Sequence, residues 1–276
     1  MPTKLTYNSF GTPGAQTILF LHGGGVAGWM WDPVVSRLPM FHCLVPDLPE
    51  HGRSMDVRPF SMPLAAAEAA ELVREKARGE KAVVVGLSEG AQTAVQMLAS
   101  APEVFERALI SSALLLPMPG AGWLNSPGLL AWAYRLSVPP FRKNEWWMRL
   151  NMRRAAAIPD EFYPQYRDNF QHIPESQFVN LILANQAFRM PENLGPVAVP
   201  TLVVVGKHEY PVMKQSARLL ASKLPDAAAK MVDLGAGSSM AREHNWAMNA
   251  PDAFAQTLLA FIQGGSYPPV IQDLIG

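Results

Sequence analysis

The sequence predicts an α/β domain, a mostly parallel sheet covered by helices, and three observations carry that prediction. Short β-branched runs recur between stretches of helical periodicity, the alternation expected of parallel strands linked by crossover helices. That alternation stops near residue 113 and resumes with the same character at Val199. Apolar residues make up 49% of the chain and charged ones only 17%, a balance suited to one generous core rather than to disorder or a fibrous repeat.

Taken in order, the first strand is Thr17–Leu21 and the second Phe41–Val45, followed by a helix over Leu64–Arg78. A strand at Ala82–Val85 runs into a helix at Ala91–Ser100, and Arg107–Ser111 is a weaker strand candidate. Residues 113–195 carry no strand signal but hold Trp123, Trp132, Trp146 and Trp147 with Met118, Met148, Met152 and Met190. They predict a helical insertion that leaves the sheet edge as a cap, so residues 1–112 and 196–276 form the core. The strand Thr201–Val205, the helix Val212–Leu224, a weaker strand Lys230–Leu234 and the helix Asp252–Gln263 complete it, with Pro211, Pro225 and Pro251 bounding the helices. The tail Ser266–Gly276, with Pro268-Pro269, shows no packing pattern and is expected to be mobile or to dock on a neighbour.

Lys and Arg number 23, as do Asp and Glu, so no net field exists to hold nucleic acid or an anionic membrane; a small apolar or mixed-polarity molecule is the expected partner. The one cysteine, Cys43, sits in an apolar run and reads as a buried structural thiol. No stretch is long enough for a signal core or a membrane span, which predicts a soluble, cytoplasmic protein. No internal repeat is present.

The chemistry begins at Gly86-Leu87-Ser88-Glu89-Gly90, a G-x-S-x-G between a buried strand and a helix. Small residues on both sides of the serine let the strand turn sharply, lifting the hydroxyl to the carboxyl edge of the sheet. A serine alkoxide is not available at neutral pH, so a base, a carboxylate to orient it and donors for an oxyanion must come from elsewhere. His22-Gly23-Gly24-Gly25 follows the first strand and, with the N–H of Glu89, offers main-chain donors. The same glycines, Gly23 to Gly28 with Asp47 beyond, also satisfy a dinucleotide-binding pattern, but Trp29-Met30-Trp31-Asp32-Pro33 is a poor opening for the helix such a site needs. Glu209 is the acid at the end of the strand Thr201–Val205, with Asp233 in reserve. Elimination among six histidines favours His244, placed in a loop before the Pro251 helix, with His208 as competitor.

With these residues assembled, the chain resembles the α/β-hydrolase superfamily along nearly its whole length. The signs are His22-Gly23-Gly24-Gly25, the turn from Asp47 to Ser54, Gly86 to Gly90, Gly206 to Glu209, and His244-Asn245-Trp246 before Pro251, in the order nucleophile, acid, histidine. The resemblance implies an eight-stranded, mostly parallel sheet with helices on both faces and a helical cap over the site. It implies Ser88 as nucleophile, His244 as base and Glu209 as orienting acid, with the main chain of Gly24 and Glu89 as oxyanion hole and with no metal or organic cofactor. The implied activity is hydrolysis of carboxylic esters. A thioesterase, amidase, lactonase or carbon–carbon hydrolase would use the same residues, and a small-molecule receptor on this fold and an NAD-dependent oxidoreductase are the rivals from other classes. The serine excludes the branches that need a carboxylate nucleophile there. Three departures from the pattern stand out: Glu209 replaces the usual Asp, Glu50 occupies a glycine place, and His244 comes six residues later than usual after Gly235-Ala236-Gly237. Glu89 beside the nucleophile is expected to disfavour strongly anionic acyl chains.

Overall fold

In the computed structural model, which describes residues 3–274, the strands are β1 (Tyr7–Gly11), β2 (Thr17–Leu21), β3 (His42–Pro46), β4 (Ala82–Leu87), β5 (Phe105–Ser111), β6 (Thr201–Gly206), β7 (Ala227–Val232) and β8 (Ile271–Asp273). They make one sheet in the order β1-β3-β2-β4-β5-β6-β7-β8. The six central strands are parallel, and β1 and β8 close the two edges antiparallel to β3 and β7. The helices in chain order are α1 (Asp32–Val35), α2 (Met62–Lys76), α3 (Glu89–Ser100), α4 (Pro127–Ser137), α5 (Glu145–Arg154), α6 (Tyr163–His172), α7 (Glu175–Ala187), α8 (Pro211–Lys223), α9 (Met240–His244), α10 (Trp246–Asn249) and α11 (Pro251–Gln263).

The apolar runs become central strands because both faces of the sheet are covered and every residue of β2 is buried. Alternation along the strand then sorts side chains between two cores. Leu19 and Leu21 join Val84 and Ile110 against the alanine-rich faces of α2 and α3, where Ala65, Ala66, Ala69, Ala91 and Ala94 let the helices approach closely. Ile18 and Phe20 join Val83, Val85 and Leu109 on the other face with Trp31, Trp246 and Phe254. The Phe254 ring lies 4.4 Å from that of Trp246 and 5.4 Å from that of Trp31. Cys43 is buried in this second core, and burial pushes its thiol pKa up to about 12, so it is inert packing as expected.

The structure corrects the sequence reading at the edges. The tail has a packing pattern that the sequence did not show, since Ile271 to Asp273 pair with β7; residues 275 and 276 lie outside the described residues. β1 went unpredicted because an edge strand that is half-buried or exposed along its length carries no apolar run. The two weaker strands are real, but the second lies at Ala227–Val232, displaced towards the amino terminus from Lys230–Leu234. Helix α2 starts two residues early, at Met62, because Ser61 caps it by accepting from the N–H of Leu64 at 3.3 Å. Glu50 keeps the left-handed conformation of the glycine it replaces, with φ of 58°. Its carboxyl group is held by the N–H of Phe60 at 2.7 Å and by Asn180 at 3.0 Å.

Residues 113–195 contain α4 to α7 and no strand, and the sheet resumes at β6, as the loss of strand signal predicts. Among the described residues, no helix is long and apolar enough to cross a membrane.

Candidate active site

Ser88 stands between β4 and α3 with φ of 57° and ψ of −114°, a conformation that costs a non-glycine residue about 1–3 kcal/mol and persists only where the surroundings enforce it. The enforcement is visible. The Ser88 N–H donates to the Ser111 carbonyl at 2.9 Å, and its own carbonyl accepts the first turn of α3 from the N–H of Gln92 at 3.0 Å. The flanking glycines permit the turn by contact. A Cβ on Gly86 would lie 2.4 Å from the Gly90 carbonyl oxygen, and one on Gly90 would lie 2.1 Å from the Leu21 carbonyl oxygen. Gly90→Ala is therefore expected to destabilise the fold by about 3 kcal/mol or more, because the clash sets the first turn of α3 against the backbone at the end of the central strand β2. Chemical denaturation checks it; an unchanged midpoint would mean that the turn is looser than drawn.

Glu209 follows β6 and is buried. Its Oε1 accepts from the Ser112 hydroxyl at 2.5 Å and from the Gly206 N–H at 3.3 Å, and lies 3.4 Å from Nδ1 of His244. That last separation is longer than a closed hydrogen bond, a usual state for such pairs before substrate tightens the site. His244 is not in a loop, as the sequence suggested. It ends the short helix α9, which begins where Ser239 accepts from the Arg242 N–H at 3.3 Å. The extra residues after Gly237 are thus taken up as one helical turn, which returns the imidazole to the acid. Burial pushes His244 down, but the hydrogen bond and charge of Glu209 more than offset this and hold its pKa above the ordinary histidine value.

The competing residues are occupied elsewhere. His208 turns to the buried Glu243, with Nδ1 at 2.9 Å from Oε1 and its N–H at 2.7 Å from Oε2. Asp233 pairs with Lys207 at 2.8 Å and accepts from the Gly235 N–H at 2.9 Å, outside the cavity. Asp47 braces its own turn, taking the Gly28 N–H at 2.9 Å and the Arg53 N–H and Nε at 3.0 and 2.9 Å. Gly28 to Trp31 form only a 3₁₀ turn, so the glycine run lacks the long helix a dinucleotide site needs. Among the described residues, no group of three or more His, Cys, Asp and Glu side chains gathers as metal ligands would.

The glycine loop after β2 lies against the serine, and a Cβ on Gly23 would stand 3.5 Å from that of Ser88. On either side of Gly24 the N–H groups are engaged, Gly23 with the Met30 sulfur at 3.3 Å and Gly25 with Nε2 of His51 at 3.4 Å. Gly24 itself is exposed and lines the cavity. Glu89 is buried beside it, with its carboxyl 3.4 Å from His51, and burial pushes its pKa up to about 8.

Ser88, Glu209, His244 and Gly24 line one cavity of about 400 Å³, together with Met213, Met240 and Met248. A second cavity of about 510 Å³ also reaches Ser88, Gly24 and Glu89 and runs under Tyr166, Phe170, Phe178 and Leu181 of the helical segment. Sequence reasoning missed Ser112, which holds Glu209 from the end of β5 at φ of 58°, and His51, which stands beside Glu89. Position at the end of a strand next to β4 was the one available signal for Ser112.

The chain is similar to known proteins along its length. A protein of Gibberella zeae described as an AB hydrolase superfamily protein is 36% identical over 111 residues, which cover 40% of this chain and 39% of that protein. A pimeloyl-[acyl-carrier protein] methyl ester esterase of Pectobacterium carotovorum is 26% identical over 91% of this chain and 95% of its own. The crystal structure of an enol-lactonase from Burkholderia xenovorans LB400 superposes with a TM-score of 0.72 at 22% identity, covering 94% of this chain and 96% of that one, a likeness of fold. The model of the alpha/beta hydrolase family matches residues 18–257, and the chain belongs to that family.

Proposed function

We propose that this protein hydrolyses carboxylic esters of uncharged, apolar or mixed-polarity molecules through an acyl-enzyme, and that residues 113–195 serve as the cap over its site. The observation that carries the reading is that Ser88 after β4, Glu209 after β6 and His244 at the end of α9 line one cavity. Ser88 Oγ attacks the acyl carbon as its proton passes to His244, and Glu209 orients the ring and stabilises its charge. The N–H groups of Gly24 and Glu89 receive the oxyanion. Collapse of the intermediate expels the alcohol, which takes the proton back from His244. Water, activated by the same imidazole, then adds to the acyl carbon and releases the acid, restoring Ser88. The methionines and aromatic rings around the two cavities suit carbon chains of varied shape. The similarity to a methyl ester esterase along nearly the whole chain supports an ester as substrate.

Labelling with a fluorophosphonate tests the reading directly, since such a reagent phosphonylates an activated serine. One adduct per chain is expected, on the peptide containing Ser88. Its rate should fall as pH drops below a midpoint that lies above 6.5, because a base held above the ordinary histidine value loses its function on protonation. An adduct on another residue, or none, would end the proposal.

A further inference from the structure

The carboxyl of Glu89 raises a question of proton placement that the hydrolytic mechanism leaves open. Its Oε1 is buried, has no hydrogen-bond donor, and lies 3.4 Å from Nε2 of His51. The other nitrogen of that ring, Nδ1, is 2.9 Å from the Pro49 carbonyl, which can only accept, so Nδ1 carries a proton. Nε2 in turn receives the Gly25 N–H at 3.4 Å and is therefore an acceptor. A carboxylate would set two lone pairs against each other across 3.4 Å. An imidazolium would set its Nε2 proton against the N–H of Gly25. An un-ionised Oε1 avoids both conflicts, although Nε2 already takes the Gly25 N–H and the 3.4 Å contact is long, so the acid form rests on a buried oxygen that no donor reaches.

We propose that Glu89 acts as an un-ionised carboxylic acid beside His51, and that in this form it is a positioning residue for the Gly24–Gly25 loop beside which the substrate's oxyanion forms. The pair links the start of α3 to that loop through the His51–Gly25 contact. Its other oxygen, Oε2, lies 3.1 Å from the point a Cβ of Gly24 would occupy, so charge placed there would oppose the developing oxyanion at close range. Burial supports the same assignment, raising Glu89 to about 8 and lowering His51 to about 3.

The groups around the pair do not supply a compensating cation. His22, whose ring is 4.8 Å from that of His51, carries its proton on Nδ1 towards the Gly23 carbonyl at 2.8 Å and accepts the Leu48 N–H on Nε2 at 2.9 Å, so it is neutral. Asp47 is paired with Arg53 at 2.9 Å. From the helical segment the second cavity presents Tyr166, which burial pushes up to about 12, and the uncharged Asn169 and Asn185. His244 and Glu209 belong to the first cavity and face each other. The expectation that Glu89 disfavours anionic substrates changes accordingly. The repulsion is small at neutral pH and grows only as the acid ionises.

The kinetic test rests on the proposed ester hydrolysis by Ser88; a spectroscopic test does not. For a neutral p-nitrophenyl ester, kcat of wild type is expected to decline above a midpoint near pH 8, losing roughly tenfold or more by about pH 9.5. Glu89→Gln, which keeps the shape and the main-chain N–H and cannot ionise, should lose that basic limb when each profile is scaled to its own value at pH 7, with KM little changed across the range. The same limb in Glu89→Gln, or a several-fold gain for it at pH 7, would overturn the proposal. Independently of turnover, an infrared spectrum of inactive Ser88→Ala at pH 7 should contain the C=O stretch of a protonated carboxyl that titrates away with a midpoint near 8. That measurement needs no change at position 89, and absence of the band overturns the proposal even if hydrolysis by Ser88 holds.

Discussion

Ser88→Ala is expected to lower kcat on p-nitrophenyl esters by a factor on the order of 10⁶ while leaving the fold and KM nearly intact. The hydroxyl is the only group removed. The main-chain bonds that hold position 88, to Ser111 and from Gln92, do not involve it, and alanine meets the same left-handed strain that serine already bears. His244→Ala should match it in severity, and the double variant should be no worse than either single one, because the two groups act as a unit. An additive double loss would show that the two side chains work separately. A mild effect of His244→Ala would return the base to His208, in spite of its bond to Glu243.

Glu209→Gln is expected to cost about 10³–10⁴ in kcat, less than loss of the nucleophile because the oxyanion donors and the base remain. The site makes this substitution harsh despite its near-identical shape. Oε1 accepts from the Ser112 hydroxyl at 2.5 Å and stands 3.4 Å from His244 Nδ1, and an amide oxygen in its place keeps those contacts but carries no charge to stabilise the imidazolium that forms. It also removes the charge that holds the imidazole above its ordinary pKa, so the acid limb of the pH profile should move to lower pH. Asp233→Asn is the control and should change kcat by no more than a few-fold. Its partner Lys207 is 46% exposed, and an ion pair of that kind contributes about 0–1 kcal/mol. A large loss in Asp233→Asn with little in Glu209→Gln would exchange their roles.

These expectations separate features that are local in the chain from those that are not. The turn at Ser88 was legible because strand, glycines and helix are contiguous, and because a Cβ at either glycine would collide with backbone. The buried strands were legible because a sheet covered on both faces needs uninterrupted apolar runs. β1 and β8 left no such mark, since an edge strand is specified by the ladder it joins. Elimination singled out His244 but did not foresee its helix, because α9 is too short for periodicity to reveal and depends on the Ser239 cap.

By itself, then, the sequence determined the central sheet, the sharp turn at position 88, the helical character of residues 113–195 and the identity of the ionisable residues available to the site. Only the tertiary structure decided which acid meets which basic side chain: Glu209 with His244, Glu243 with His208, Asp233 with Lys207. It alone set Ser112 on Glu209 and His51 beside Glu89. The physical reason is that apolar burial and steric limits on the backbone act over a few neighbouring residues and leave a readable pattern. Protonation and pairing depend on which groups share a dry enclosure after distant segments have met.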